Sequence, residues 1–284
     1  MIRPLAASDL DGAVRLSASA GWNQNRADWA MMLRLGQGWG IEAADGAGDV
    51  QLAASIVVLP YGSDFAWTSM VLVLPDCRRR GYAQRLLRHA LAELVAQGRA
   101  AVLDATPAGH AVYAQEGFAD TWGFARYRRE AGSGSPQRST APPTRPLRDS
   151  DWPAIAALDA PAFGASRVSL LRALAQRWPQ AARVAELDGR LRGYVLGRDG
   201  REALQVGPLL ATDDDVAKAL LGAALGAADG PLYVDLLDCR RALLPWLQAA
   251  GFVFQRPFTR MVHGAANAPG DPASIVLAAG PELG

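Results

Sequence analysis

Two stretches of this 284-residue chain begin alike, and that repetition narrows the possible folds more than any composition figure. "IRPLAASDLDGAVRL", from Ile2, and "TRPLRDSDWPAIAAL", from Thr144, share Arg, Pro, Leu, Ser, Asp and a later Leu in register. Farther on, "YAQEGF", ending at Phe118, is echoed by "LQAAGF", ending at Phe252, at nearly the same distance from each start. Between the copies, "EAGSGSPQRSTAPPT" is poor in apolar residues and rich in Gly, Ser and Pro, so it can bury no core element. The pattern predicts one fold used twice: a first domain over residues 1–130, a linker over 131–143 and a second domain over 144–284.

Within each copy the hydrophobic periodicity predicts strand, helix, helical segment, strands, helix, strand, helix and closing strands. In the first copy the strand candidates are residues 39–43, 52–59, 65–74 and the run "AAVLDA", with "GFADTWGFARYRR" to close. Ala83, Leu86, Leu87, Ala90, Leu91 and Leu94 recur at helical spacing, and Gly98 is placed to end that helix. An antiparallel start followed by this alternation predicts an α/β (α+β) fold class, each lobe a mixed, largely antiparallel twisted sheet flanked by helices.

Charge excludes several roles. Lys and Arg number 29 against 28 Asp and Glu, a net charge of +1, so there is no general attraction to nucleic acid or to an anionic membrane. Three adjacent arginines make too short a basic stripe for nucleic-acid binding. Cys77 and Cys239 have no metal-ligand spacing and form no disulfide framework, which predicts no metal site and a cytoplasmic location. No apolar stretch reaches the roughly 18 residues of a membrane helix, and no signal-peptide hydrophobic region opens the chain.

The most chemically pointed stretch is "MVLVLPDCRRRGYAQRLLRHAL", residues 70–91. It reads as a buried strand stopped by Pro75, a basic turn and a helix. A helix start presents unpaired N–H groups and the positive end of the macrodipole, and a glycine there admits a ligand to the backbone, so this turn is an anion site. The absence of Gly-Lys-Ser/Thr disfavours a nucleotide-hydrolysing loop, and the absence of Gly-x-Gly-x-x-Gly a dinucleotide fold.

The motif "RRRGYA" after a strand ending near a proline resembles the cofactor loop of the GNAT acetyltransferase superfamily, Arg/Gln-x-x-Gly-x-Gly/Ala. The resemblance implies acetyl-CoA as cosubstrate. Its pyrophosphate would lie on Arg78, Arg79, Arg80, Gly81, Tyr82, Ala83 and Gln84, and its pantetheine arm beside Leu72 and Val73, where the strand splays from its neighbour. In that superfamily a tyrosine four residues before a Gly-Phe pair protonates the departing thiolate; here it is Tyr113. Where many members carry a cofactor-contacting asparagine this chain has Thr106. The stretches "GWNQNRADW", "LDATPAG", "GFVFQRPFTRMV" and "SIVLAAGPELG" resemble a bacterial tandem subfamily of GNAT proteins, extending the likeness over nearly the whole chain.

The second copy replaces the basic turn by "ATDDDVAKALLGAAL", whose three aspartates occupy the positive helix end, with Thr212 and Asp215 spaced as a capping box. The tyrosine position has become Leu247. Both losses predict a noncatalytic copy, and the two late stretches quoted above read as its packing elements.

The predicted reaction is acetyl transfer from acetyl-CoA to a primary amine of a small molecule or peptide, in a ternary complex. Asp104, Glu42, Asp64 or a water chain are open as the base, and His110 as either a relay or a surface residue. Trp22, Trp29, Trp39 and Trp67 are either walls of an amine pocket or core residues, and Arg26 and Arg34 are possible contacts for an acidic acceptor. The competing reading is a CoA-binding sensor or interaction protein that has lost transfer. Neither the acceptor nor the oligomeric state follows from the residues.

Overall fold

A computed structural model describes residues 1–44, 48–132 and 143–284. Most of the expected linker lies outside the described residues. The first half runs β1 (Ile2–Pro4), α1 (Leu10–Ser19), α2 (Arg26–Leu35), β2 (Gln37–Ala44), β3 (Val50–Tyr61), β4 (Phe65–Val73), α3 (Tyr82–Ala96), β5 (Ala100–Ala105), α4 (Pro107–Gln115) and β6 (Ala119–Arg129). The second half repeats that order as β7 (Thr144–Pro146), α5 (Trp152–Phe163), α6 (Val168–Arg177), β8 (Arg183–Leu187), β9 (Arg190–Arg198), β10 (Leu204–Ala211), α7 (Asp214–Gly226), β11 (Leu232–Leu237), α8 (Leu244–Ala249) and β12 (Val253–His263). A short extra strand, β13 (Ile275–Leu277), follows. The closing segment of the first half is one long strand rather than several.

Both echoes have local causes. Arg3 holds Asp9 and Glu42 at 2.7 and 2.5 Å, and Arg145 holds Asp151 and Glu186 at the same distances. Each aspartate also accepts a backbone N–H three residues earlier, at 2.8 Å. Each Gly-Phe pair ends a helix: Gly117 and Gly251 take φ of +88° and +89°, and the following Phe N–H returns to the carbonyl of Tyr113 or Leu247. Phe118 and Phe252 are buried. The repeated residues are thus a hinge-fixing ion cluster and a helix stop, needed wherever this fold is built.

The strands of the described residues join in one sheet, in the order β1-β2-β3-β4-β5-β12-β6-β11-β13-β10-β9-β8-β7. The sheet runs without a break across the boundary expected near residue 130. β12, from the second half, pairs with β5, and β6, from the first, pairs with β11. α1, α2, α5 and α6 contribute to one hydrophobic core that crosses both halves, while α3 and α7 each build a separate core, mostly with their own half's strands but joined by Met261 of β12 under α3 and by Ala125 and Tyr127 of β6 under α7.

In each half the strand that leads into the parallel pair carries a bulge. Met70 and Val71 of β4 stand opposite Ile56 alone, and Gly207 and Pro208 of β10 opposite Leu196 alone. Met70 takes φ of +53°, a conformation costly for a non-glycine residue, and Ser55 Oγ donates to its carbonyl at 2.8 Å. Beyond the bulges the parallel pairs part: β4 and β5 are paired only at residues 65–67 and 100–102, and β10 and β11 only at 204–206 and 232–234. The second split is filled by β13, where Leu277 pairs with both Leu209 and Leu236. The first is left as a cleft.

Candidate active site

The cleft begins where β4 ends. After a single turn at Pro75–Cys77 the chain passes through Arg79 and Gly81, both left-handed at φ of +60° and +73°, into α3. Among the described residues, no backbone carbonyl or side chain accepts the N–H groups of residues 79–84, and no atom lies within 4 Å of where a Gly81 side chain would begin. Val73, Arg78, Gly81, Tyr82 and Ala83 line this open cleft, with Val112 and Gln115 of α4 opposite. Free amides, a positive helix end and space together fit a pyrophosphate. Arg80 donates to the Asp76 carbonyl at 3.0 Å, which shapes the turn, and Gln84 donates to Glu116 at 2.5 Å, which fixes α3 to the end of α4.

Alternation along β4 separates two residues expected together. Val71 and Val73 are half-exposed on the cleft side, whereas Leu72 is buried in the core on the other face. Its backbone, not its side chain, borders the split. Thr106 caps α4, accepting the Gly109 N–H at 3.3 Å, so its hydroxyl is committed to the helix that presents Tyr113.

A second, deeper cleft continues along the split. Thr68, Ser69, Met70 and Val71 of β4, Asp104 of β5, and Tyr113 line it from the first half. Trp22 and Gln24 enter from the loop before α2, and the second half closes it with Arg256 and Phe258 of β12, Pro281 and Glu282. The late stretches expected only to pack their own half therefore build this wall. The loop is held by the second half as well: Asn23 accepts the N–H groups of Glu202 and Ala203 at 2.9 and 3.0 Å and donates to the Ala203 carbonyl at 2.9 Å.

Tyr113 is half-buried with its ring edge-on to Phe118, and burial pushes its hydroxyl up to about 12. Asp104 binds Arg260 through both oxygens at 2.8 and 2.9 Å, and that guanidinium lies between the rings of Trp67 and Trp122, 4.3 and 3.9 Å from their centres. Glu42 sits on Arg3 and Asp64 on Ser63, both away from the cleft, and His110 pairs with Asp120 at 2.8 Å. Of the four tryptophans only Trp22 lines the deep cleft. Trp29 and Trp39 are core residues, and Trp67 is buried with its N–H on Pro281. Arg26 pairs with Asp11 at the surface and Arg34 is exposed, so neither reaches the site. Arg126 and Arg256 stand there instead. Sequence reasoning missed Gln24, Arg256 and Glu282; only Glu282 carries a local signal, as a lone charge in an otherwise apolar stretch, while Gln24 and Arg256 stand among other polar residues.

The second half lacks every counterpart. Asp213, not Thr212, caps α7, its carboxylate accepting the Val216 N–H at 2.9 Å, and this bond holds its pKa below the usual carboxylate range. Leu247 is fully buried. Among the described residues no three His, Cys, Asp or Glu side chains gather as a metal site, and no single helix is long and apolar enough to cross a membrane.

Two family models, each described as an acetyltransferase (GNAT) domain, match residues 40–120 and 155–276, one in each half and together more than half of the chain. The chain is a tandem GNAT protein. A curated relative, "Uncharacterized N-acetyltransferase YitH" of Bacillus subtilis, is 24% identical over 244 residues, covering 86% of the tandem GNAT chain and 84% of its own. Among solved structures, a candidate acetyltransferase of Pyrococcus horikoshii superposes with a TM-score of 0.80 at 18% identity, over 100% of this chain and 95% of its own. A tandem GNAT protein from the clavulanic acid biosynthesis pathway does so with a TM-score of 0.65 at 17% identity, over 94% and 99%. The likeness to these structures extends across both halves of the tandem GNAT fold.

Proposed function

We propose that this tandem GNAT protein transfers the acetyl group of acetyl-CoA to a primary amine of a small molecule or peptide by direct transfer in a ternary complex, using the first half alone as its cofactor site. Acetyl-CoA supplies the activated thioester. The observation that carries the reading is the contrast between the splits: residues 79–84 offer free amides beside an open one, while β13 and Asp213 occupy the corresponding places in the second half.

The chain's residues divide the work. The amides of residues 79–84 and the α3 dipole hold the pyrophosphate, and Val71 and Val73 flank the arm leading to the bulge. The acceptor nitrogen forms its bond to the acyl carbon as the carbon–sulfur bond breaks. Tyr113 hydrogen-bonds to the departing sulfur, and the two protons that an ammonium acceptor sheds, one before the attack and one after it, leave through the solvent-open mouth of the cleft. With an ordinary thiol near 8.5, complete transfer from a phenol near 12 is uphill by about 5 kcal/mol. Tyr113 therefore acts chiefly as a hydrogen-bond donor that stabilises the thiolate until a solvent proton replaces it. A cytoplasmic location belongs to the same proposal.

Calorimetric titration of the cofactor-free chain with acetyl-CoA tests it. One site per chain, lost in Gly81→Glu, supports the reading; two sites or none overturn it. One observation favours a CoA-binding sensor instead: Asp104, which lines the cleft with Tyr113, has both oxygens on Arg260 and is no free base. An amine panel assayed for thiol release separates the two, since a sensor releases none.

A further inference from the structure

Nine buried side-chain polar atoms among the described residues lack a hydrogen-bond partner, and five belong to residues lining the deep cleft: Gln24 Oε1, Thr68 Oγ1, Ser69 Oγ, Glu282 Oε2 and Arg256 Nε. Two more belong to Arg198, the ion-pair partner of Glu282. Leaving such groups unpaired costs about 1–3 kcal/mol each, more when charged, so at this place they must be met either by water or by a bound molecule that displaces it. Four are oxygens able to accept a hydrogen bond. The fifth is a guanidinium N–H. An ammonium group has three donors and no acceptor, and a guanidinium's natural counterpart is a carboxylate.

Charge makes the same division. Glu282, Arg198, Asp28, Arg177 and Asp199 form one ion-paired chain with three acids and two bases, an excess of one negative charge. On the far side Arg126 is held by both oxygens of Asp235, at 2.8 and 2.7 Å, while Arg256 beside it has no acid within ion-pair distance among the described residues, an excess of one positive charge. Burial and Arg126 both disfavour the charge on Arg256. A single uncompensated guanidinium matches the one charge of a carboxylate better than the two of a phosphate. The two ends lie on different strands, the oxygens around β4 and Arg256 on β12, with β5 between them.

We propose that the acceptor is a primary amine that also carries a carboxylate, an amino-acid-like molecule whose ammonium end sits among Gln24, Ser69 and Glu282, on the face of β4 opposite Thr68, and whose carboxylate sits on Arg256. This rests on the acyl-transfer reading and adds the acceptor class. It also gives the second half a task, since Arg256 and Glu282 both come from it. The amine end is placed beside the β4 bulge, where the thioester would lie.

The test uses the full chain with amino acids, β-alanine and γ-aminobutyrate, each against the amine left on removing its carboxylate and against the matching aminoalkyl phosphate. Thiol release from acetyl-CoA is measured, and thermal midpoints are taken with CoA present. At least one carboxylate-bearing member should exceed its decarboxylated mate about 10- to 100-fold in kcat/KM. Arg256→Met should erase that margin by raising KM, while the ligand-free melting midpoint does not fall, because a part-buried cation with no acid beside it has been removed. Equal rates for the mates, preference for the phosphates, or a margin that survives Arg256→Met would each overturn the proposal. So would a panel that neither reacts nor shifts the midpoint while acetyl-CoA still binds at one site. Failure of acetyl-CoA itself to bind would instead remove the parent reading, and this one with it.

Discussion

The indole N–H of Trp67 donates to the carbonyl of Pro281 at 3.0 Å, joining the strand of the first half that lines the cleft to the segment that carries Glu282. Trp67→Phe leaves that carbonyl without its donor and a gap beside Arg260. It should lower stability by about 2 kcal/mol, seen in denaturant unfolding. If the acceptor meets Glu282, KM for the amine rises while acetyl-CoA affinity, read by calorimetry, stays where it was.

Tyr113→Phe removes one hydroxyl and little volume. Turnover should fall about 100-fold with the acetyl-CoA dissociation constant nearly unchanged. The wild-type phenol ionises near 12 in the folded chain and near 10 when unfolded, so the folded state favours the neutral form. Its contribution to stability is complete below pH 10 and is lost as pH rises from 10 towards 12. Tyr113→Phe should flatten that part of the stability profile.

Gly81 tests the anion site with little disturbance of the core. Gly81→Ala places a Cβ in open space but at φ of +73°, costing about 1 kcal/mol and a modest loss of cofactor affinity. Gly81→Glu sets a carboxylate at the helix start and should abolish binding in calorimetry with the circular dichroism spectrum unchanged.

Neutralising the acidic helix start of the second half should not create a second cofactor site. Asp213→Asn keeps a capping side chain on Val216, yet β13 still fills the split between β10 and β11. Stoichiometry should remain one per chain; a second site in this variant would show that charge, not the inserted strand, excludes the ligand.

Asp9 and Asp151 are held below the usual carboxylate range by Arg3 and Arg145. Their folded acidity is the stronger, so the stability they add is present above about pH 3.8 and is lost as pH falls through the folded value. Arg145→Met should move the acid unfolding midpoint upward, measured by tryptophan fluorescence against pH.

The order of elements was legible because it depends on local signals: helical spacing in α3, the glycine stops after α4 and α8, and the Arg–Asp spacing that sets each entry turn. The anion turn was legible for the same reason, since its amides belong to consecutive residues. Leu72 was misplaced because strand alternation allows only one of two neighbours to face the cleft, and the bulge at Met70 sets which. Arg256 and Glu282 were hidden because their meaning depends on Asp235, Arg126, Arg198 and Asp28, all distant in the chain. Nor does any residue of β12 announce that its neighbour is β5 rather than a strand of its own half.

That last pairing bears on how the molecule is made. During synthesis the first half emerges with β5 as a bare edge, and its partner β12 appears only after β7 to β11 have been made. Until then the growing chain presents unpaired backbone groups that invite association with other chains or capture by a chaperone. A chain that stops short of Glu282 carries no finished cleft, so the site comes into being only after both halves have been made.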